Sequence, residues 1–356
     1  MPASTPGDED PEPEAVAAAE LPELDETQAT RKLRSGLISL GFLIALAVGL
    51  LLAVPGLHGV ARTVALMSLP LVLVGVAMEV LSCLSYVVAF LWVFDRAPIR
   101  FGAQVALSQL AFGAAVSVGG ATSIAAGGLL LVERGAAPAR VAERSAVLFL
   151  LTSAVNVLTL AIAGLGVWIG IFPGPRDPLL TLVPGAICAA VFVGVLALPW
   201  VSDRLVPARR TGRVAHATRA VSGVIRSTAR MLFSLNWRLI PTFGFLWFDI
   251  AVLIVCFAAI GPVPPVSVIV LAYQIGYLTN LIPVPGGIGV LDAGFIGMFA
   301  LFDVSPTSAA AATVVYHAIS LWIPLMWGTI AFLRLRSSRN EPIEPRPARN
   351  SRSSAG

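Results

Sequence analysis

The sequence predicts an all-α, polytopic membrane bundle, and three observations carry that reading. Of 356 residues, 57% are hydrophobic and only 12% are charged, against about a quarter charged in soluble domains. Several apolar runs reach the roughly 20 residues that a helix rising about 1.5 Å per residue needs to cross about 30 Å of hydrocarbon. The basic residues gather between alternate runs, as the positive-inside rule requires.

Residues 1–30 hold nine acidic residues, no basic ones and five prolines, too little apolar surface to fold, and are expected to form a disordered cytoplasmic tail. The charge-free run Gly36–Val54 follows that acidic prefix, which marks it as a retained first span rather than a cleaved signal. Further apolar segments follow at 64–93, 101–118, 121–132, 141–172, 179–200, 239–260, 266–282, 288–302 and 307–333. A transmembrane domain is therefore expected over 36–335, with a basic loop at 201–238, and residues 336–356, rich in Ser, Arg and Pro, read as a disordered basic tail.

Two pairs of segments are short. Segments 101–118 and 121–132 are joined by Gly119 and Gly120, and 266–282 and 288–302 by the run Pro283 to Gly287. Their second limbs reach only about 18 and 22 Å, less than the hydrocarbon thickness, so each pair predicts a re-entrant hairpin. Six spans plus two hairpins place both termini in the cytoplasm and 22 of the 24 basic residues inside, with Arg62 and Arg176 outside. The hairpins then enter from opposite sides. Gly120 precedes Pro138 by 18 residues and Gly287 precedes Pro306 by 19, while Glu79 precedes Gly120 by 41 and Asp249 precedes Gly287 by 38. Span, hairpin and span thus recur in opposite orientation, the pattern that in transporters points to a midplane site.

Function classes narrow next. Cys83, Cys188 and Cys256 stand singly in apolar runs, without disulfide or metal spacing. No G-x-S-x-G, H-E-x-x-H, Walker or C-x-x-C motif occurs, so no enzyme activity, cofactor or metal is expected. Pro285, Gly286, Gly287 and Gly289 interrupt a helix at membrane depth. Amides freed there, together with the helix dipole, suit a phosphate, while the structural alternative is a tight packed turn. Glu79, Asp249 and Asp292 are the acids well inside apolar segments, where a carboxylate is costly unless paired, protonated or wet. With Gly119, Gly120 and Asn156, Glu79 and Asp249 form a candidate transport pathway. Asp292, Tyr316 and His317 join the glycine turn as candidate substrate contacts, His317 as a titratable group or a packing histidine. Eight arginines between 201 and 238, among them Arg209, Arg210, Arg213 and Arg219, suggest a basic amphipathic helix on an anionic leaflet rather than a nucleic-acid site. An unstructured positive loop is the alternative.

The segment TNLIPVPGGIGVLDAGF…TVVYHAISLWIPLMW within residues 279–330 resembles the lysylphosphatidylglycerol synthase transmembrane, flippase-like family. Pro285, Gly286, Gly287, Gly289, Tyr316, Trp322 and Pro324 match its pattern; Asp292 stands for a Glu and His317 for an Arg. The resemblance implies a stand-alone lipid-handling domain without the synthase domain, in the cell membrane. Translocation of an anionic phospholipid or polyprenyl-linked glycolipid is the leading expectation. A membrane-embedded lipid-modifying transferase, or an accessory subunit that recruits a glycosyltransferase or lipid synthase, are the alternatives. Membrane lipids, and no nucleic acid, are the expected partners.

Overall fold

The computed structural model describes residues 58–115, 121–205, 212–234, 236–281 and 289–337, with the isolated positions Ile38 and Gly41. Among these residues eleven α-helices and no strands occur. In chain order they are α1 (His58–Ala65), α2 (Leu69–Val93), α3 (Ile99–Ala115), α4 (Ala121–Val132), α5 (Pro138–Trp168) and α6 (Val183–Leu205). There follow α7 (Arg213–Phe233), α8 (Ile240–Ile260), α9 (Val266–Gly276), α10 (Val290–Leu301) and α11 (Pro306–Ser337). The chain is thus an all-α, multi-pass membrane bundle.

Five stretches are long and apolar enough to cross a bilayer: Leu69–Val93, Pro138–Trp168, Pro178–Arg204, Trp237–Ile260 and Pro306–Ser337. They coincide with five of the six expected spans; the sixth, 36–54, lies outside the described residues. The segment expected at 64–93 is divided by a break at Met67–Ser68, because Pro70 sits in the first turn of α2, where its missing N–H costs nothing. Pro138 opens α5 in the same way. A π-helical turn, Pro178–Leu182, leads into α6, its first amides bonded to Asp177 at 2.7 and 3.1 Å.

The two short pairs are packed limbs. α3 lies against α4, and α9 against α10. In the second pair the approach is backbone to backbone: a Cβ on Gly276 meets Gly294 C at 3.1 Å, and one on Gly294 meets Gly276 O at 2.7 Å. Only hydrogen fits at either place. The helix expected over 266–282 therefore ends at Gly276 and tightens into a 3-10 turn, Tyr277–Leu281.

Packing between the halves is reciprocal. α2 pairs with α8; α3 of the first hairpin lies along α11, the last helix of the second half; α9 of the second hairpin lies along α5, the last helix of the first half. The pairing follows the order of the elements expected for two span–hairpin–span units. The larger core cluster, with Ile250, Leu253, Phe257, Ile269, Phe295 and Phe299 fully enclosed, sits where α8, α9, α10 and α11 meet. α6 is peripheral and exposes Ile187, Val191, Val193 and Trp200, side chains suited to a lipid solvent.

The basic segment holds the end of one helix and an amphipathic, arginine-bearing second helix. α6 runs to Leu205 and α7 begins at Arg213. α7 packs on α5 and α6 through Ser222, Ile225 and Thr228, and Arg226 pairs with Asp203. Val221 is half exposed. A 100° step per residue puts it one position off the buried stripe that includes Ser222 and Ile225.

Candidate substrate cavity

The crossing of α2 over α8 decides the centre of the molecule. Glu79 on α2 and Asp249 on α8, at matching places in the two halves, are brought into direct interaction. Three residues on, the Ser82 hydroxyl donates to Phe245 O across the same crossing at 2.8 Å. Asp249 accepts hydrogen bonds from two tyrosines, Tyr316 of α11 at 3.0 Å and Tyr273 of α9. Glu79 accepts a weak bond from the Cys83 thiol at 3.6 Å, and its Oε2 has no hydrogen-bond partner. A buried acceptor without a donor forfeits its hydration uncompensated. Such an atom needs an occupant or a proton.

Beside this pair opens a cavity of about 500 Å³. Its wall includes Glu79, Asp249, Asn156, Tyr316 and His317, together with Tyr86, Gln109, Ser145, Thr152, Ser153 and Ser320. Polar side chains thus come from α2, α3, α5, α8 and α11, and from Ser123 of α4. The hydroxyl of Tyr86 donates to Gln109 Oε1 at 2.9 Å. The Gln274 amide reaches Asn156 O at 3.4 Å, joining the second hairpin to α5. Among the described lining residues there is no Lys or Arg. Apolar walls with a few convergent polar groups are the usual make-up of a ligand site, and the volume falls within the usual range of about 300–1,000 Å³.

At the head of α10 the described part of the glycine turn begins. Gly289 has φ +84°, a backbone state that favours glycine. Its N–H donates to Asp292 Oδ2 at 2.9 Å, while Asp292 Oδ1 lies 2.7 Å from His317 Nδ1. One of the amides expected to meet a phosphate is therefore already engaged by Asp292, which locks the start of α10 to α11.

The structure brings together Glu79, Asp249, Asn156, Tyr316 and His317, and places Asp292 and Gly289 behind His317. Arg219 is on the exposed face of α7, apart from the cavity. Gly119, Gly120, Pro285, Gly286, Gly287, Arg209 and Arg210, and the side chain of Arg213, lie outside the described residues. Sequence reasoning passed over Tyr273, Tyr86, Gln109 and Gln274. Their signal was present in type: a buried tyrosine or glutamine in an apolar helix needs a polar partner.

A family model described as the lysylphosphatidylglycerol synthase TM region matches residues 36–328, most of the chain and all of the cavity. This chain belongs to that family. Two matches to UPF0104 membrane proteins of Methanothermobacter thermautotrophicus are 34% identical over 84 residues and 31% identical over 136 residues. They cover 23% and 37% of this chain, and 24% and 40% of the relative. Glycosyltransferase AglD of Haloferax volcanii is 32% identical over 102 residues, 27% of this chain and 16% of AglD. The chain thus spans well under half the length of each curated relative that it matches.

Proposed function

We propose that this protein moves an amphipathic lipid, a phospholipid or a polyprenyl-linked glycolipid, between the leaflets of the membrane in which it sits, the headgroup passing through the central cavity while the tails stay in the bilayer. The observation that carries the reading is the cavity itself: a headgroup-sized space whose polar wall draws on helices from both halves of the chain. Transporter sites arise at the meeting of such halves. Irregular backbone at membrane depth is tolerated where it borders a cavity, which fits the 3-10 turn Tyr277–Leu281, whose Tyr277 and Leu278 line the cavity. An anionic phosphate is assigned to the glycine turn, away from the carboxyl pair, because the described wall of the cavity offers it no cation.

The match to a glycosyltransferase favours a glycolipid among the candidates, and it also favours a second reading, in which the chain modifies lipid or serves a lipid-modifying partner. One experiment separates them. Lipid that co-purifies with the protein is identified by native mass spectrometry, then reconstituted with it in vesicles and followed by a leaflet-sidedness assay. Translocation faster than in protein-free vesicles, and blocked by Ser153→Trp in the cavity wall, is the expected result. Chemical conversion of the lipid without sidedness change favours the transferase, and neither effect rejects the translocation reading.

A further inference from the structure

Two carboxyl groups meet at the centre of the bundle, and among the described residues of the cavity wall there is no Lys or Arg. Glu79 retains 4% of its surface, lines the cavity and interacts directly with Asp249. The groups around the pair are neutral: the Cys83 thiol from α2 and the hydroxyls of Tyr273 from α9 and Tyr316 from α11, with Tyr277 close to the tyrosines. His317, which also lines the cavity, lies with its Nδ1 2.7 Å from Asp292 Oδ1. α3 and α5, which also pack on α2, bring no acidic or basic side chain to the described cavity wall.

Donors are unevenly shared between the two acids. Asp249 receives two hydroxyl hydrogens, whereas Oε2 of Glu79 receives none. Two adjacent carboxylates withdrawn from water repel each other strongly, and an orphan acceptor adds its own desolvation cost. One hydrogen on Glu79 removes both penalties. It cancels a charge, and it turns Oε2 from an acceptor without a donor into a group able to donate.

We propose that Glu79 and Asp249 hold a single exchangeable proton between them, and that passage of lipid through the cavity is coupled to uptake and release of that proton. Uptake forms one O–H bond on the carboxylate as hydronium becomes water; release breaks it as water becomes hydronium. No other bond changes, and no further reactant is needed. The pair lies at the crossing of the two halves, where a rocking motion changes the side of the membrane that it faces. The proton site stands on the buried Glu79 oxygen without a donor, the close packing of α2 on α8 and the shared cavity wall; its coupling to lipid rests on the translocation reading.

Infrared spectroscopy of the purified full-length chain in nanodiscs tests the site. At neutral pH the wild type is expected to show a protonated carboxyl stretch that shifts in D2O, and Glu79→Gln, which conserves shape, is expected to lose it. Should Glu79→Gln fail to fold, Asp249→Asn serves instead and is expected to shift or remove the same band. A wild-type spectrum without the band, or a band unaltered in the folded variant, overturns the proposal. So does a band abolished by exchanging choline for sodium, which would place a metal ion there. Coupling is read in phosphatidylcholine vesicles carrying a trace of tail-labelled phosphatidylglycerol, with the membrane potential clamped at zero. One proton per lipid shifts the steady-state leaflet ratio about tenfold per unit of pH gradient, and Glu79→Gln abolishes the shift. Probe movement indifferent to the gradient overturns the coupling. An immobile probe rejects the translocation reading, and the coupling with it, while the infrared result still decides the proton site.

Discussion

Asp292 accepts the Gly289 amide with one oxygen and meets His317 with the other, so the start of α10 and the middle of α11 are held by one side chain. Its truncation removes both bonds. Asp292→Ala should lower stability by about 1 kcal/mol for the lost helix-start bond, plus about 1–3 kcal/mol for a buried imidazole left without its acceptor. Asp292→Asn keeps an acceptor in place and should fold close to normally while transporting more slowly. Thermal melts in detergent beside a sidedness assay measure both, and an Ala variant that melts with the wild type rules out the double role. Gly287 extends the same turn. If the turn holds a phosphate, Gly287→Leu inserts and folds but does not transport, because a side chain fills the space that the headgroup needs; normal transport would make the turn a packing feature. At this scale the sequence disclosed the buried acids, since charge in an apolar run stands out. It did not disclose Tyr273 as a partner of Asp249, because the two are 24 positions apart on different helices and no local spacing joins them.

Helices pack here by close approach as much as by side-chain interlocking, which is the usual economy where lipid gives no hydrophobic drive to association. α11 crosses α3 at Gly328, where an added Cβ would stand 2.1 Å from Leu107 O and 2.7 Å from Ala111 Cβ. Backbone cannot yield as a flexible side chain does. Gly328→Ala should therefore cost on the order of 1–3 kcal/mol through overpacking, read as a lowered midpoint in a detergent melt. An unchanged midpoint would mean that α3 and α11 are further apart. The short paired limbs were legible as elements because Gly and Pro clusters interrupt apolar runs too short to span. Their partners were not legible. A glycine in a long apolar helix announces a close contact without saying which helix makes it, and that α3 meets α11 while α9 meets α5 is seen only in the folded chain. Boundaries slipped where backbone contact ended a helix early, as at Gly276, or where Pro70 began one late.

Orientation belongs to the whole molecule, and its argument is electrostatic. Each charged residue carried across hydrocarbon costs about 2.5–3.5 kcal/mol on insertion scales, and basic residues near spans are held on the cytoplasmic side during insertion. With both termini inside, 22 of 24 basic residues fall on that side and Arg62 and Arg176 fall outside; the reverse orientation would put nearly all of them across. α7 with Arg219, Arg226 and Arg230 follows α6, and Arg176 precedes it, so a single span separates the two regions. Arg219→Cys should then resist an impermeant thiol reagent in whole cells and react once the cells are opened, while Arg176→Cys should react in both. Cys83 and Cys256 are buried and Cys188 is partly enclosed within a span, which keeps the background of such an experiment low. Rapid labelling at Arg219→Cys in intact cells would invert the assigned topology. It would also reverse the sides from which the two hairpins enter, and with them the direction in which the central proton is expected to travel with its lipid.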